Sequence, residues 1–303
     1  PTIPLAVGDT IPLALQEMST DPGANVDAPA KTVELDLSAG KTRDAPVSLG
    51  MRAAAQRILD VGGRLGMVES KGWIYKLPEG EFRVKIVEFL AGCKVQDADI
   101  ALLKQLPELE ILEFWRSDLT DAGFKALADL RDLKWLKCNT GCEIGDEGLA
   151  AVANLKQLEL LYLYHTNVTD EGLKVLAGMP SLRVLALAGS KGEKHLNRYG
   201  PAFLTDDALQ HLVGIENLDT LHVYAPLSTD TGARYLGRLQ NLQALTVSSP
   251  SITDEGIESL ANLQMLRTLN LYTSPKVSEQ AVKQLRARLH ENCRLYSKLD
   301  KYE

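Results

Sequence analysis

Carboxylates return along this chain at the most regular spacing of any reactive group, and evenly spaced carboxylates can ligate metal, relay protons or cap helices. They stand at Asp97, Asp121, Asp146, Asp170, Asp206, Asp230, Asp254 and Glu279, with steps of 24, 25, 24, 36, 24, 24 and 25 residues. Each lies in a phrase like Val168-Thr169-Asp170-Glu171-Gly172-Leu173. Thr169 or Asp170 can accept backbone N–H bonds at the start of a helix, and a following acid suits the positive helix end. Capping explains the acid in every unit, so these carboxylates read as structural and not as metal ligands or catalytic groups.

The other reactive types form no recognisable catalytic group. His165, His195, His211, His222 and His290 make no H-E-x-x-H pair, no G-x-S-x-G elbow is present, and no Gly-rich phosphate loop follows a strand pattern. Cys93 and Cys142 occupy equivalent seats two repeats apart, and two steps of roughly 4.8 Å exceed disulfide reach. Cys138 takes a core seat and Cys293 belongs to the C-terminal end, while the Cys138-to-Cys142 spacing is wrong for a zinc knuckle. All four thiols are therefore expected to be reduced, with no metal and no cofactor.

Aromatic residues carry the remaining signal. Each repeat has a short alternating run such as Leu112/Phe114, Leu136/Cys138, Leu161/Leu163 or Leu245/Val247, preceded three positions earlier by another Leu. This L-x-x-L-x-L spacing describes one strand per unit, whose alternate residues face away from the core. Those outward seats hold Trp115, Trp135, Tyr162, Tyr164, His222, Tyr224 and Tyr272, although aromatics are 6% of the chain. Aromatics exposed on a sheet are typical anchors for a partner. Trp115 and Trp135, on adjacent strands, are expected to form one patch.

After each acid an apolar pair such as Leu173/Leu176 or Ile257/Leu260 marks a short helix that breaks near Gly178 or Asn262. Gly148, Gly172, Gly232 and Gly256 suit close helix approach. A unit of this length cannot bury its apolar face alone and must stack on its neighbours. The pattern resembles the leucine-rich repeat family, in particular its ribonuclease-inhibitor-like and cysteine-containing subtypes, and most closely bacterial proteins with tandem V-T-D-x-G-L repeats. The resemblance covers residues 84 to 290, with departures at Gly145, at Ala208 and in the last unit around Glu279. It implies an α/β solenoid, a horseshoe with a parallel concave sheet and short convex helices. It says little of function, because that fold hosts receptors, inhibitors, adaptors and ligase subunits.

The expected layout is an extended segment over 1–47, a helix and hairpin cap over 48–83, repeats over 84–277, and a capping helix and tail over 278–303. Residues 33–44 faintly echo a repeat. The long interval places an insertion at 188–203, whose Lys191, Lys194, His195, Arg198 and Tyr199 would project from one rim, where solenoid insertions often meet ligands.

Net charge is −7 with scattered Lys and Arg, which argues against nucleic acid or an anionic membrane surface as partner. No apolar run approaches the ~20 residues of a membrane span. The Pro-, Gly-, Ala- and Asp-rich start resembles the tether after an export signal, a lean towards the periplasm or cell surface. The chain reads as a non-enzymatic scaffold that binds a protein or peptide, or else a glycan, on its concave aromatic face. The rivals are a subunit of an enzyme complex, a cryptic hydrolase, and a structural envelope or assembly component.

Overall fold

The computed structural model describes residues 49–67, 72–139, 142–164, 166–188, 204–273 and 276–297. The expected segment over 1–47, the echo at 33–44, His165 and nearly all of the insertion, with its five rim residues, lie outside them.

A helix, α1 (Leu49–Asp60), leads into β1 (Arg64–Met67) and β2 (Trp73–Ile74). Gly62 ends α1 in the left-handed region (φ 95), where the absence of Cβ removes the steric cost. The repeats follow as alternating strands and helices: β3 (Val84–Phe89), α2 (Asp97–Ile100), β4 (Ile111–Phe114), α3 (Asp121–Leu127), β5 (Trp135–Cys138), α4 (Asp146–Val152), β6 (Leu160–Tyr164) and α5 (Asp170–Leu173). They continue as β7 (Val184–Ala188), α6 (Asp206–Leu212), β8 (Thr220–Tyr224), α7 (Asp230–Leu236), β9 (Ala244–Ser249), α8 (Asp254–Glu258), β10 (Thr268–Thr273), α9 (Glu279–Arg288) and β11 (Arg294–Ser297). All described strands form one sheet in the order β11-β10-β9-β8-β7-β6-β5-β4-β3-β1-β2. From β3 to β11 the pairing is parallel, and β1 joins both β2 and β3 antiparallel.

Successive repeats align without slippage, so Leu112, Leu136, Leu161, Leu185, Leu221, Leu245 and Leu269 stack in one buried row. Phe89 and Phe114 stack with ring centroids 5.4 Å apart, and Phe124 of α3 tilts against Phe114. A one-residue slip would send every such side chain to the opposite face, which is why alternation pins the register.

The repeated acids correct one expectation. Each is the first residue of its helix, and it does not cap that helix. The aspartate carboxylates, from Asp97 to Asp254, accept from the next repeat instead. Asp97 takes the Thr120 N–H at 3.0 Å and the Thr120 hydroxyl at 2.6 Å. Asp146 takes the same pair from Thr169, Asp206 from Thr229, Asp230 from Thr253 and Asp254 from Ser278. Some of the hydroxyls do the capping: Thr120, Thr205 and Thr229 each accept the N–H two residues on, at 3.2 Å, whereas Thr169 and Thr253 make no cap bond. An acid at the first helical position cannot fold back onto its own free N–H groups as well as the residue before it can.

Glycine fills the close seat in several rungs of this ladder, while Ala208 and Ala281 fill it where Asp170 and Asp254 make their bonds. A Cβ on Gly172 would overlap Asp146 Oδ1, and one on Gly232 would overlap Ser228 Oγ and Asp206 Oδ1. Where Gly145 replaces Thr, Asp121 instead takes the Gly145 and Gly148 N–H groups at 2.7 and 3.0 Å. Asp170 reaches Thr205 across the long interval, at 3.1 Å to the N–H and 2.6 Å to the hydroxyl. The ladder thus passes the insertion unbroken.

Two terminal features lie beyond the repeat spacing. The hairpin continues the sheet through β1, with Gly66 opposite both Trp73 and Ile86. The C-terminal helix is followed by β11, parallel to β10. Its Arg294-Leu295-Tyr296-Ser297 offers one core residue, Leu295, too little alternation to signal a strand.

Candidate functional site

Three rows of side chains run across the face of the sheet turned from the core. The first holds Trp73, Gly66, Ile86, Ile111, Trp135, Leu160 and Val184. The second holds Glu88, Glu113, Lys137, Tyr162, Ala186, His222, Thr246, Asn270 and Tyr296. The third includes Trp115, Asn139, Tyr164, Tyr224, Ser248 and Tyr272.

The expected aromatic seats are on this face, but they are not freely exposed. Trp135 is 1% exposed, His222 4% and Tyr162 9%, against 39% for Tyr272. Trp135, Tyr162, Ile86, Ile111, Leu160, Val184 and Ala186 form a second apolar cluster separate from the main core, with Trp73 and Tyr164 packed against it. Neighbours in register stand about 4.8 Å apart, so each large side chain is flanked by two others and loses its faces to them.

Trp115 and Trp135 do not make one patch. The register partner of Trp135 is Ile111, four residues before Trp115, a separation of roughly 13 Å along the strand at about 3.3 Å per residue. What the fold gathers is a group around Lys137. Its ammonium lies 2.7 Å from Glu113 and 5.7 Å from the ring centroids of both Trp135 and Tyr162. Tyr162 meets Tyr164 edge-on at 5.5 Å, and Trp115 and Tyr164 flank Asn139. Tyr224 and Tyr272 sit two and four strands beyond Tyr164, outside this group.

The hairpin adds residues that repeat spacing cannot reach. Arg64 pairs with Glu88 and lies 3.9 Å from the Trp73 ring centroid. Tyr296, 39% exposed, ends the second row. Trp73 and Tyr296 belong to strands outside the repeated phrase, so their facing followed from no period.

Electrostatics sharpen the group. Burial and the neighbouring Glu113 raise the Glu88 carboxyl above its usual range, against the opposing pull of Arg64 and the Trp115 indole. Burial raises the phenol of Tyr162 strongly, with Glu113 adding to it, and pushes His222 down to about 4, so His222 is neutral near pH 7. Among the described residues, Trp115 Nε1, Trp135 Nε1, Asn139 Nδ2 and His222 Nδ1 are buried polar atoms without a hydrogen-bond partner in the chain. Leaving such a group unmade costs about 1–3 kcal/mol.

No group of three or more His, Cys, Asp or Glu among the described residues could hold a metal ion. Nor is any described helix long and apolar enough to cross a membrane. Cys138 and Cys142 are both buried, and Ser117 Oγ stands 3.1 Å from Cys142 Sγ.

Comparison with known proteins agrees with this architecture. The family model described as Leucine Rich repeat matches residues 140–153 and 238–261. No curated protein sequence matches the chain. A crystal structure of an internalin (InlF) from Listeria monocytogenes is similar at 23% identity and a TM-score of 0.50. The match covers 69% of this chain and 53% of the internalin chain. One parallel strand and one short helix per repeat, joined into an open sheet, make this fold an α/β leucine-rich repeat solenoid.

Proposed function

We propose that the protein is a non-catalytic scaffold that binds a protein or peptide on the sheet face around Lys137. Solenoids of this kind offer extended concave surfaces to partners. The observation that carries the reading is the run of half-buried Trp115, Asn139 and Tyr164 across neighbouring strands, beside the Lys137–Glu113 pair. Aromatic faces at Trp115 and Tyr164 supply the apolar contact that a partner anchor needs. A polypeptide spanning several strands suits a group spread over β4, β5 and β6 better than a single sugar ring does.

The anchors to test are the half-buried Trp115 and Tyr164, since Trp135 and Tyr162 also hold the sheet face together. Wild type and a Trp115→Ala/Tyr164→Ala variant are compared in pull-downs from native extract, and the captured polypeptide is titrated calorimetrically. The expected result is a loss of at least about 2 kcal/mol of affinity, with circular dichroism unchanged. Equal affinity in a folded double variant removes this face as the site. The rim residues Lys191, Lys194, His195, Arg198 and Tyr199 then become the next to replace.

A further inference from the structure

The sheet ends at β11, and among the described residues no strand pairs with its far side. An edge of this kind presents backbone groups to any extended chain of fitting pattern. Its core seat is also incompletely covered, since Leu295 is 9% exposed where Leu221, Leu245 and Leu269 of the same row are at 0%. Charge marks the same end. In a chain of net −7, residues 264–297 carry Arg267, Lys276, Lys283, Arg286, Arg288 and Arg294 against only Glu279 and Glu291. Arg294 is exposed on β11 beside Leu295, and Arg286 Nη2 reaches the Leu295 carbonyl at 3.5 Å, which puts a second cation on that edge.

The chain itself contains the complement. Val33-Glu34-Leu35-Asp36-Leu37 alternates apolar and acidic residues, and residues 1–47 as a whole hold seven acids against three bases. We propose that residues 33–37 of one copy add to β11 of a second copy as a further parallel strand, joining chains head to tail. In the register of the repeats, Leu35 falls beside Leu295 and covers it, Glu34 falls beside Arg294, and Asp36 beside Tyr296. Backbone hydrogen bonds hold the added strand, and the side chains of its two faces select it. Charge favours this edge over the opposite one. There β2 offers two residues, Trp73 and Ile74, and the nearby cation, Arg64, is already paired with Glu88. Chain length favours a second copy over the same one. From Leu37 to Leu49 the backbone spans about 40 Å at most, at 3.3–3.6 Å per residue. The strand against which α1 packs, β1, lies nine strand spacings from β11, about 43 Å at 4.8 Å each. A copy reaches its own β11 only with that connection drawn straight, whereas a neighbour's β11 sets no such limit. The joined surfaces differ, so each added copy leaves a strand and an edge free and the contact extends beyond a dimer.

Sedimentation velocity of the full chain over a concentration series is the test, with Leu35→Asp, Arg294→Glu and Arg294→Glu/Glu34→Arg/Asp36→Arg beside wild type. Wild type is expected to shift to dimers and larger species as concentration rises, and less so in high salt, which screens the pairing of Glu34 with Arg294. Leu35→Asp puts a charge in the core seat and is expected to stay monomeric. Arg294→Glu sets like charges side by side and is expected to weaken association by at least about tenfold, while the triple variant recovers most of it. All four chains are expected to give the same circular dichroism, because Arg294 is exposed and residues 34–36 precede the repeats. A wild type that stays monomeric up to about 0.1 mM overturns the proposal, whether residues 33–37 fold back on their own chain or bind another protein. So does self-association that Leu35→Asp leaves intact, or that Arg294→Glu does not weaken.

Discussion

A single carboxylate in this chain does its work on the neighbouring repeat, and its worth is set by how many donors it satisfies. Asp206 accepts from Thr229 N–H, Thr229 Oγ1, Ser228 Oγ and the Gly232 N–H. Among the described residues, Asp170 accepts from Thr205 alone. Asp206→Ala is expected to lower stability by about 2 kcal/mol and Asp170→Ala by about 1 kcal/mol, from the penalty of donors left unmade. Urea unfolding of both variants checks the order. Burial works to raise the Asp206 carboxyl, yet the bonds from Thr229, Ser228 and Gly232 outweigh it and hold it below the usual range. A depressed folded value means this contribution is complete above the unfolded pKa and is lost as acid titrates the folded carboxylate. His222 acts in the same direction by another route. Its folded value near 4 lies below the unfolded value of about 6.5. The unfolded chain therefore takes the proton first, and stability declines as pH falls from about 6.5 towards 4 by on the order of 3 kcal/mol. His222→Gln, measured by thermal unfolding across that window, is expected to flatten the decline. An unchanged slope would mean that His222 is solvated.

At the scale of elements, helix spacing depends on a seat that holds no side chain. Gly172, third residue of α5, lies against Asp146, and a methyl group there overlaps the carboxylate. Gly172→Ala is expected to cost about 1–3 kcal/mol, because the helix must shift away from its neighbour. Thermal melts test this, with the exposed Lys174→Ala as a neutral control. These seats were legible in the sequence as V-T-D-x-G-L, and so were the strands, because alternation and a 24-residue step have one common explanation. The direction of the acid's bonds was not legible. Capping within a helix and latching between helices use the same residue types, and three-dimensional placement alone separates them. The pairing of β1 and β11 was likewise invisible, since neither strand repeats and each offers few core residues.

For the whole molecule, each unit contacts its neighbours, so removing one complete unit should leave a shorter solenoid. Deleting residues 230–253 joins Thr229 to Asp254 and keeps Thr229 under Asp206. The shortened chain is expected to stay soluble and folded with a smaller denaturant slope, as less surface is exposed on unfolding. A deletion of half that length should break the register and unfold the chain. Circular dichroism and urea titration of the two deletions distinguish local stacking from a core that closes globally.

The sequence by itself determined the repeat, its strand-and-helix unit, the buried leucine rows and which residues turn away from the core. Periodicity encodes facing, and facing is local. Tertiary structure decided how those outward residues relate to one another. It set Trp115 apart from Trp135, drew Lys137 between Trp135 and Tyr162, and left indole and amide donors unpartnered beside them. It also brought Ser117 Oγ to 3.1 Å from Cys142 Sγ, a contact hidden when cysteines are compared only between equivalent seats. Such contacts depend on side-chain reach across strands about 4.8 Å apart, a distance that spacing along the chain does not carry.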